Sequence, residues 1–138
     1  MEAIVPYLNF NGNAVEALAF YSKALDGKIL HQQTFGESPM PSSDAMKDKV
    51  MHAAFQADQL TLMVSDCPPE MSVTNGSNIS LSLNFKETAA IDKTFAALSE
   101  GANITMELQD TFWGARFGML TDQFGINWMF NHDKEQQV

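Results

Sequence analysis

The sequence predicts an α+β fold of two β-α-β-β-β modules, whose eight strands form one curved mixed sheet with a helix on the outer face of each half. Three observations carry this expectation. Short segments of strand-like alternation recur between clusters of Gly, Pro, Asn and Asp. Two segments place apolar residues at the spacing of a half-buried helix. The chain also begins again: LNFNGNAVEALAFYSKALDGKI and LNFKETAAIDKTFAALSEGANI share a triplet followed by a helical segment that closes in Ala-Leu and a glycine, at an offset of 75 residues from Leu8 to Leu83. Solenoid repeats run at roughly 20–50 residues, so a duplication of this length predicts two copies packed side by side about a pseudo-twofold axis.

In the first module, Ala3 to Phe10 alternate as a strand, and Asn11, Gly12 and Asn13 form the turn that follows. A helix over Ala14 to Leu25 carries Ala14, Ala17, Leu18, Tyr21 and Leu25 on one face, with Asn13 and Glu16 spaced as a capping box and Asp26-Gly27 as the stop. Lys28 to Phe35 reads as a strand. Gly36 to Asp48, rich in Pro, Ser and charge, reads as a mobile loop able to cover a pocket. Val50 to Ala57 and Gln59 to Asp66 form a close antiparallel pair around Asp58.

The second module repeats this order after a linker with two prolines. Asn78 to Phe85 is a strand, Glu87 to Leu98 a helix with Ile91, Phe95 and Leu98 on one face, and Asn103 to Leu108, Ala115 to Thr121 and Asn127 to Asn131 are three further strands. The expected organisation is a single domain over 1–138, with one module at about 1–66, a linker at 67–76, a second module at about 77–131, and a charged, fraying tail at 132–138.

Composition narrows the function. The chain is long enough to bury a full core, and no apolar run approaches the ~20 residues needed to cross a bilayer. The start carries an acidic residue where a secretory signal has positive charge, so a cytoplasmic protein is expected. Seventeen acids against eight bases give a net charge of −9, which disfavours phosphate backbones and anionic membranes; neither nucleic acid nor membrane is expected as a partner. The single cysteine, Cys67, has no intramolecular partner and sits beside Asp66, a setting that does not favour a thiolate.

The single arginine, Arg116, lies between aromatic residues. It reads either as a bidentate anchor for a ligand carboxylate or phosphate, or as a structural partner of Asp110 or Asp122. Trp128 shares the apolar parity of Ile126 and Phe130 and belongs to the core, whereas Trp113, beside Phe112 and Gly114, is a candidate pocket wall. Gly114, Gly118 and Gly125 suit turns, bulges or close backbone approach. Asp66 reads as a turn cap or as an acid-base group. His31 and His132 read as solvated surface groups.

The paired modules, with LNFNGNAVEALAFYSKALDG at the front and DTFWGARFGMLTDQFGINWM at the back, resemble the vicinal oxygen chelate superfamily of glyoxalases, ring-cleaving dioxygenases and bleomycin and fosfomycin resistance proteins. More narrowly they resemble its PhnB-like branch, whose members often bear the label 3-demethylubiquinone methyltransferase domain. That label carries no expectation here, because no Gly-rich strand-to-helix turn with a downstream acid is present to hold adenosylmethionine. The resemblance implies a small-molecule pocket on the concave face of the sheet, commonly completed in a homodimer, with a divalent metal held by His and Glu. Carried onto this chain, the ligand positions fall at Pro6, Met63, Asn78 and Met129. None supplies imidazole or carboxylate, so no metal or other cofactor is expected.

Strand parity then assigns the pocket. Asn78, Ser80, Ser82 and Asn84 face the cavity while Ile79, Leu81, Leu83 and Phe85 pack on the helix; Met63 brings Thr61 and Ser65 inward, and Met129 brings Asn127. His52 faces inward from a strand whose Met51, Ala53, Phe55 and Ala57 face the helix. It reads either as a histidine satisfied by a neighbour or as a ligand-binding group or base. The expected ligand contacts are therefore His52, Met63, Ser65, Asn78, Ser80, Trp113, Arg116 and Met129. The expected function is metal-independent small-molecule binding. The alternatives are a His52-assisted or metal-dependent lyase, isomerase or resistance enzyme, and an interaction module with a vestigial pocket.

Overall fold

The computed structural model describes residues 1–39 and 41–134. Eight strands and two helices follow in the predicted order, and the strands form two four-stranded mixed sheets, one per module. The chain divides into two compact units, the first ending at Thr74 and the second starting at Asn75, inside the expected linker. A single turn of 3-10 helix at Pro69–Met71 occupies part of that linker. Among the described residues no helix is long and apolar enough to cross a membrane.

The first unit contains β1 (Tyr7–Phe10), α1 (Ala14–Ala24), β2 (Lys28–Thr34), β3 (Val50–Ala57) and β4 (Leu60–Asp66), with sheet order β1-β4-β3-β2. β1 runs parallel to β4, pairing Tyr7 with Met63 and Phe10 with Asp66, and the other pairs are antiparallel. The first strand is shorter than expected. Pro6 has no N–H to donate to a ladder, although its carbonyl accepts from the Met63 N–H at 3.0 Å, and Met1 and Ile4 before it are exposed.

The stripe predicted for α1 is buried at Ala14, Ala17, Leu18 and Tyr21, and Leu25 serves as the C-cap instead of a helical residue. Beneath it, Leu8, Phe10, Ala53, Phe55, Leu62 and Val64 are buried, each large side chain contributing about 1.5–3 kcal/mol on removal from water. The expected capping box does not form, since Asn13 makes no side-chain cap. Asp66 takes its place: Oδ1 accepts from the N–H groups of Gly12 at 3.1 Å and Ala14 at 2.9 Å, and Oδ2 from that of Val50 at 2.9 Å. One carboxylate thus fixes the helix start, the end of β4 and the start of β3.

Among its described residues the loop after β2 forms turns but no helix or strand, and its stem is tied. Phe35 and Gly36 donate to the carbonyls of Lys49 and Lys47, and Met46 is buried.

The second unit contains β5 (Leu81–Asn84), α2 (Thr88–Leu98), β6 (Asn103–Asp110), β7 (Ala115–Thr121) and β8 (Asn127–Asp133), with sheet order β5-β8-β7-β6 and β5 parallel to β8. Ile91, Phe95 and Leu98 are the buried face of α2, as predicted. They meet Trp128 and Phe130, both fully buried, with the Phe95 and Phe130 rings edge to face at 5.0 Å. Gly118 lies under the helix because nothing larger fits: a Cβ there would stand 2.9 Å from Phe95 Cε2 and 3.0 Å from Leu108 Cα.

Several boundaries differ from expectation, among them those of β8 and β5. β8 continues through Asp133, past His132 where the tail was expected to begin, because His132 is anchored by a 2.9 Å hydrogen bond from Nδ1 to the Phe85 carbonyl. The tail beyond residue 134 lies outside the described residues. β5 begins three residues late, since the Asn127 side chain donates to the carbonyls of Gly76 and Ile79, each at 3.0 Å, and holds that stretch in irregular form.

Candidate functional site

Each sheet buries one face under its own helix and leaves the other face free of that helix. On the helix-free face of the first unit, strand parity and register bring together Tyr7 and Asn9 from β1, Met63 and Ser65 from β4, His52 and Ala54 from β3, and His31 and Gln33 from β2. The Tyr7 hydroxyl lies 3.1 Å from His52 Nδ1, and the two rings are 5.8 Å apart at 41°. The His31 ring stands 6.1 Å from that of His52. The Ser65 hydroxyl donates to Asn9 Oδ1 at 3.3 Å.

His52, Met63 and Ser65 are half-buried on one surface, where the alternation places them. His31 is exposed, as expected, yet it stands beside His52. Tyr7 was missed, although its alternation with Asn9 against buried Leu8 and Phe10 put it on this face. None of the eight side chains named on this surface is a carboxylate, so polar recognition falls to hydroxyl, amide and imidazole groups.

The corresponding face of the second unit is softer. Register aligns Ser82 with Met129 and Met119 in one row, and Asn84 with Asn131 and Phe117 in the next. Asn131 Nδ2 donates to Asn84 Oδ1 at 3.3 Å, occupying the place that the Ser65–Asn9 bond holds in the first unit. Trp113, in the turn between β6 and β7, is 55% exposed and meets the Phe117 ring at 6.0 Å, while the more exposed Phe112 packs edge-on against it at 5.1 Å. Phe117 and Met119 were missed; alternation against buried Gly118 and Leu120 was the available signal.

Not every expected contact joins these faces. Asn78 and Ser80 precede β5 in the irregular stretch that Asn127 holds. Arg116 points to the helix side of the sheet, where Nε donates to Asp92 Oδ1 of α2 at 2.7 Å and a terminal nitrogen donates to Asp110 at 3.3 Å. The Asp92 hydrogen bond raises the Arg116 pKa above its ordinary value, with a smaller contribution from Asp110. The structural alternative therefore describes Arg116 in part: Asp110 is a partner, but Asp92 was not anticipated.

Asp122 serves a different group, accepting from the Trp128 indole N–H at 2.8 Å and from the backbone of Phe124 and Ile126. His132 is corrected from a solvated tail residue to a part-buried strand residue bonded to Phe85.

Residues 4–130 match the family model described as the Glyoxalase/Bleomycin resistance protein/Dioxygenase superfamily. The chain belongs to this superfamily. It is 31% identical to the protein YjdN of Escherichia coli over 141 aligned residues, covering 95% of each chain. The solved structure of PA1353 from Pseudomonas aeruginosa superposes with a TM-score of 0.87 at 41% identity, covering 98% of this chain and 100% of that one. A PhnB protein from Bacillus cereus superposes with a TM-score of 0.76 at 25% identity, over 95% and 99% of the two chains, in keeping with the PhnB-like branch. Superfamily membership makes small-molecule binding the general function.

The four positions to which the resemblance carries the superfamily's metal ligands hold no imidazole or carboxylate. Pro6 offers only a carbonyl, which the Met63 N–H already uses. Met63 and Met129 offer thioethers, and Asn78 one amide oxygen in an irregular segment. Hard divalent ions want imidazole or carboxylate, and a set of this kind binds them weakly. Among the described residues no three His, Cys, Asp or Glu side chains are grouped to hold a metal ion.

Proposed function

We propose that this protein binds a small, neutral, aromatic-bearing molecule without the divalent metal of its superfamily. The observation that carries the reading is the Tyr7–His52 hydrogen bond on the helix-free face of the first unit, in surroundings made of hydroxyl, amide and thioether groups. Such a surface orients a ligand by a few hydrogen bonds. The Met119, Met129, Phe117 and Trp113 surface of the second unit suits an aromatic ring, since methionine sulfur makes favourable contacts with aromatic edges. The reading includes a cytoplasmic homodimer, the arrangement the resemblance implies; sedimentation should give about twice the 15.3 kDa chain mass.

A thermal-shift screen of planar aromatic compounds tests the proposal, because a ligand that binds only the native state raises its apparent stability. At least one compound should raise the melting temperature. His52→Ala should weaken that compound about five- to twelvefold, as expected when one hydrogen bond of ~1–1.5 kcal/mol is lost, with an unchanged circular dichroism spectrum. Unchanged affinity in His52→Ala would overturn the role given to this face.

The same hydrogen bond favours a second reading, an enzyme in which Tyr7 fixes the His52 tautomer and the other ring nitrogen moves a proton. Turnover of a bound compound, abolished in His52→Ala, would select it.

A further inference from the structure

Ala54 is the smallest side chain on the helix-free face of the first unit, and the residues around it differ sharply in chemistry. His31 pairs with Ala54 from β2, Met63 pairs with it from β4, and His52 precedes it by two residues on the same face of β3. Register thus places two histidines and a methionine around one short methyl group. We propose that this cluster is a site for a soft monovalent cation, copper(I), held by His31 and His52 with Met63 as the third donor.

Geometry supports the two imidazoles as ligands to one ion. Imidazole nitrogens bind metal at about 2.0–2.1 Å, which sets the ring centres of two histidines sharing an ion roughly 5–6 Å apart. The His31 and His52 centroids are 6.1 Å apart. With the Tyr7 hydroxyl on Nδ1 of His52, Nε2 is the nitrogen left for the ion. A hydrogen bond on the far nitrogen is the usual way a ligating histidine is oriented. The His31 ring makes no hydrogen bond among the described residues, so both of its nitrogens are available.

Donor chemistry selects the ion. Imidazole with thioether suits copper(I), whereas magnesium, calcium and manganese want the carboxylates that this face lacks. The net charge of −9 favours a cation here over an anion. Glu37, whose carboxylate is bonded to the Thr34 backbone and hydroxyl, adds negative charge near His31. The site differs from the superfamily's chelate in its thioether donor, its lack of a carboxylate donor and its confinement to one module.

The test is an anaerobic competition for copper(I) against the chromophoric chelator bicinchoninate. It is run on the full chain in a Cys67→Ser background, so that the thiol cannot supply the binding. One copper(I) per chain should leave the chelator. His31→Ala should weaken binding about tenfold and His31→Ala/His52→Ala about a hundredfold, and Tyr7→Phe about tenfold, the range seen when an orienting partner of a metal ligand is removed. Met63→Leu keeps the volume and should also weaken binding while leaving the circular dichroism spectrum unchanged.

Equal affinity in the double histidine variant overturns the site. So does loss of all binding in Cys67→Ser alone, or failure of the full chain to take copper(I) from the chelator. Aromatic-ligand binding is measured separately on copper-free protein, so either proposal can fail while the other stands.

Discussion

Asp66 and Asp122 are the buried charged residues among those described, and each is engaged as a hydrogen-bond acceptor for N–H groups. Asp66→Ala leaves three backbone N–H groups without their acceptor. At about 1–3 kcal/mol for each buried group left unsatisfied, urea denaturation should show a loss of at least ~3 kcal/mol. Asp66→Asn should recover only part of it, because with its oxygen serving Gly12 and Ala14 its NH2 cannot accept from Val50. A loss below ~1 kcal/mol for the alanine variant would contradict the capping role. The sequence allowed a capping role for Asp66, but its helix starts 52 residues away in the chain. Local spacing pointed instead to Asn13 and Glu16, because pattern reading sees only neighbours along the chain.

Asp110 carries a pH prediction at the same scale. The Lys134 hydrogen bond first, and Arg116 after it, hold its carboxyl below the ordinary aspartate range. A folded-state pKa below the unfolded value means that the contribution to stability is present above about pH 4 and is lost as the pH falls through the folded value. Lys134→Ala should therefore lower stability slightly at neutral pH and converge with the unmodified protein in strong acid. Added salt should narrow the difference at neutral pH, since the pair is exposed. A difference that grows on acidification would contradict the assignment.

At the scale of elements, the strands read most accurately were β3 and β7, both bounded as predicted. Each alternates clearly and is bounded by turn residues, so its register is set by which face is buried. β1 and β5 were read too long, for reasons alternation does not encode: a proline without an N–H in one case, and the distant side chain of Asn127 in the other. The same alternation put His52, Met63, Ser65 and Met129 on the helix-free faces they occupy but gave Arg116 no partner on α2, which depends on how helix and sheet stack.

Helix-sheet contact in the second unit is also the basis of a packing prediction at Gly118. Gly118→Ala forces a methyl group against Phe95 and the Leu108 backbone and should destabilise by about 1–3 kcal/mol, the usual cost of overpacking. A neutral effect in thermal unfolding would mean that α2 stands further from β7 than described.

At the scale of the molecule, the repeat from Leu8 to Leu83 made the two-module plan legible from sequence, because duplicated modules keep the same order of elements even where side chains diverge. Divergence itself carries the functional account. At the positions to which the resemblance carries the superfamily's metal donors, this chain has a proline, two methionines and an asparagine, while a histidine bonded to tyrosine stands on the adjacent strand surface. Which small molecule binds was not legible, because hydroxyl, amide and thioether groups accept many ligands.

The most direct test is calorimetric titration of a compound found in the aromatic screen into two samples of the same preparation. One is stripped with chelator, and the other is then supplied in turn with manganese, iron, nickel or zinc. Equal affinity in all samples is the predicted result. Binding that vanishes on stripping and returns with one of these ions would contradict metal-independent recognition.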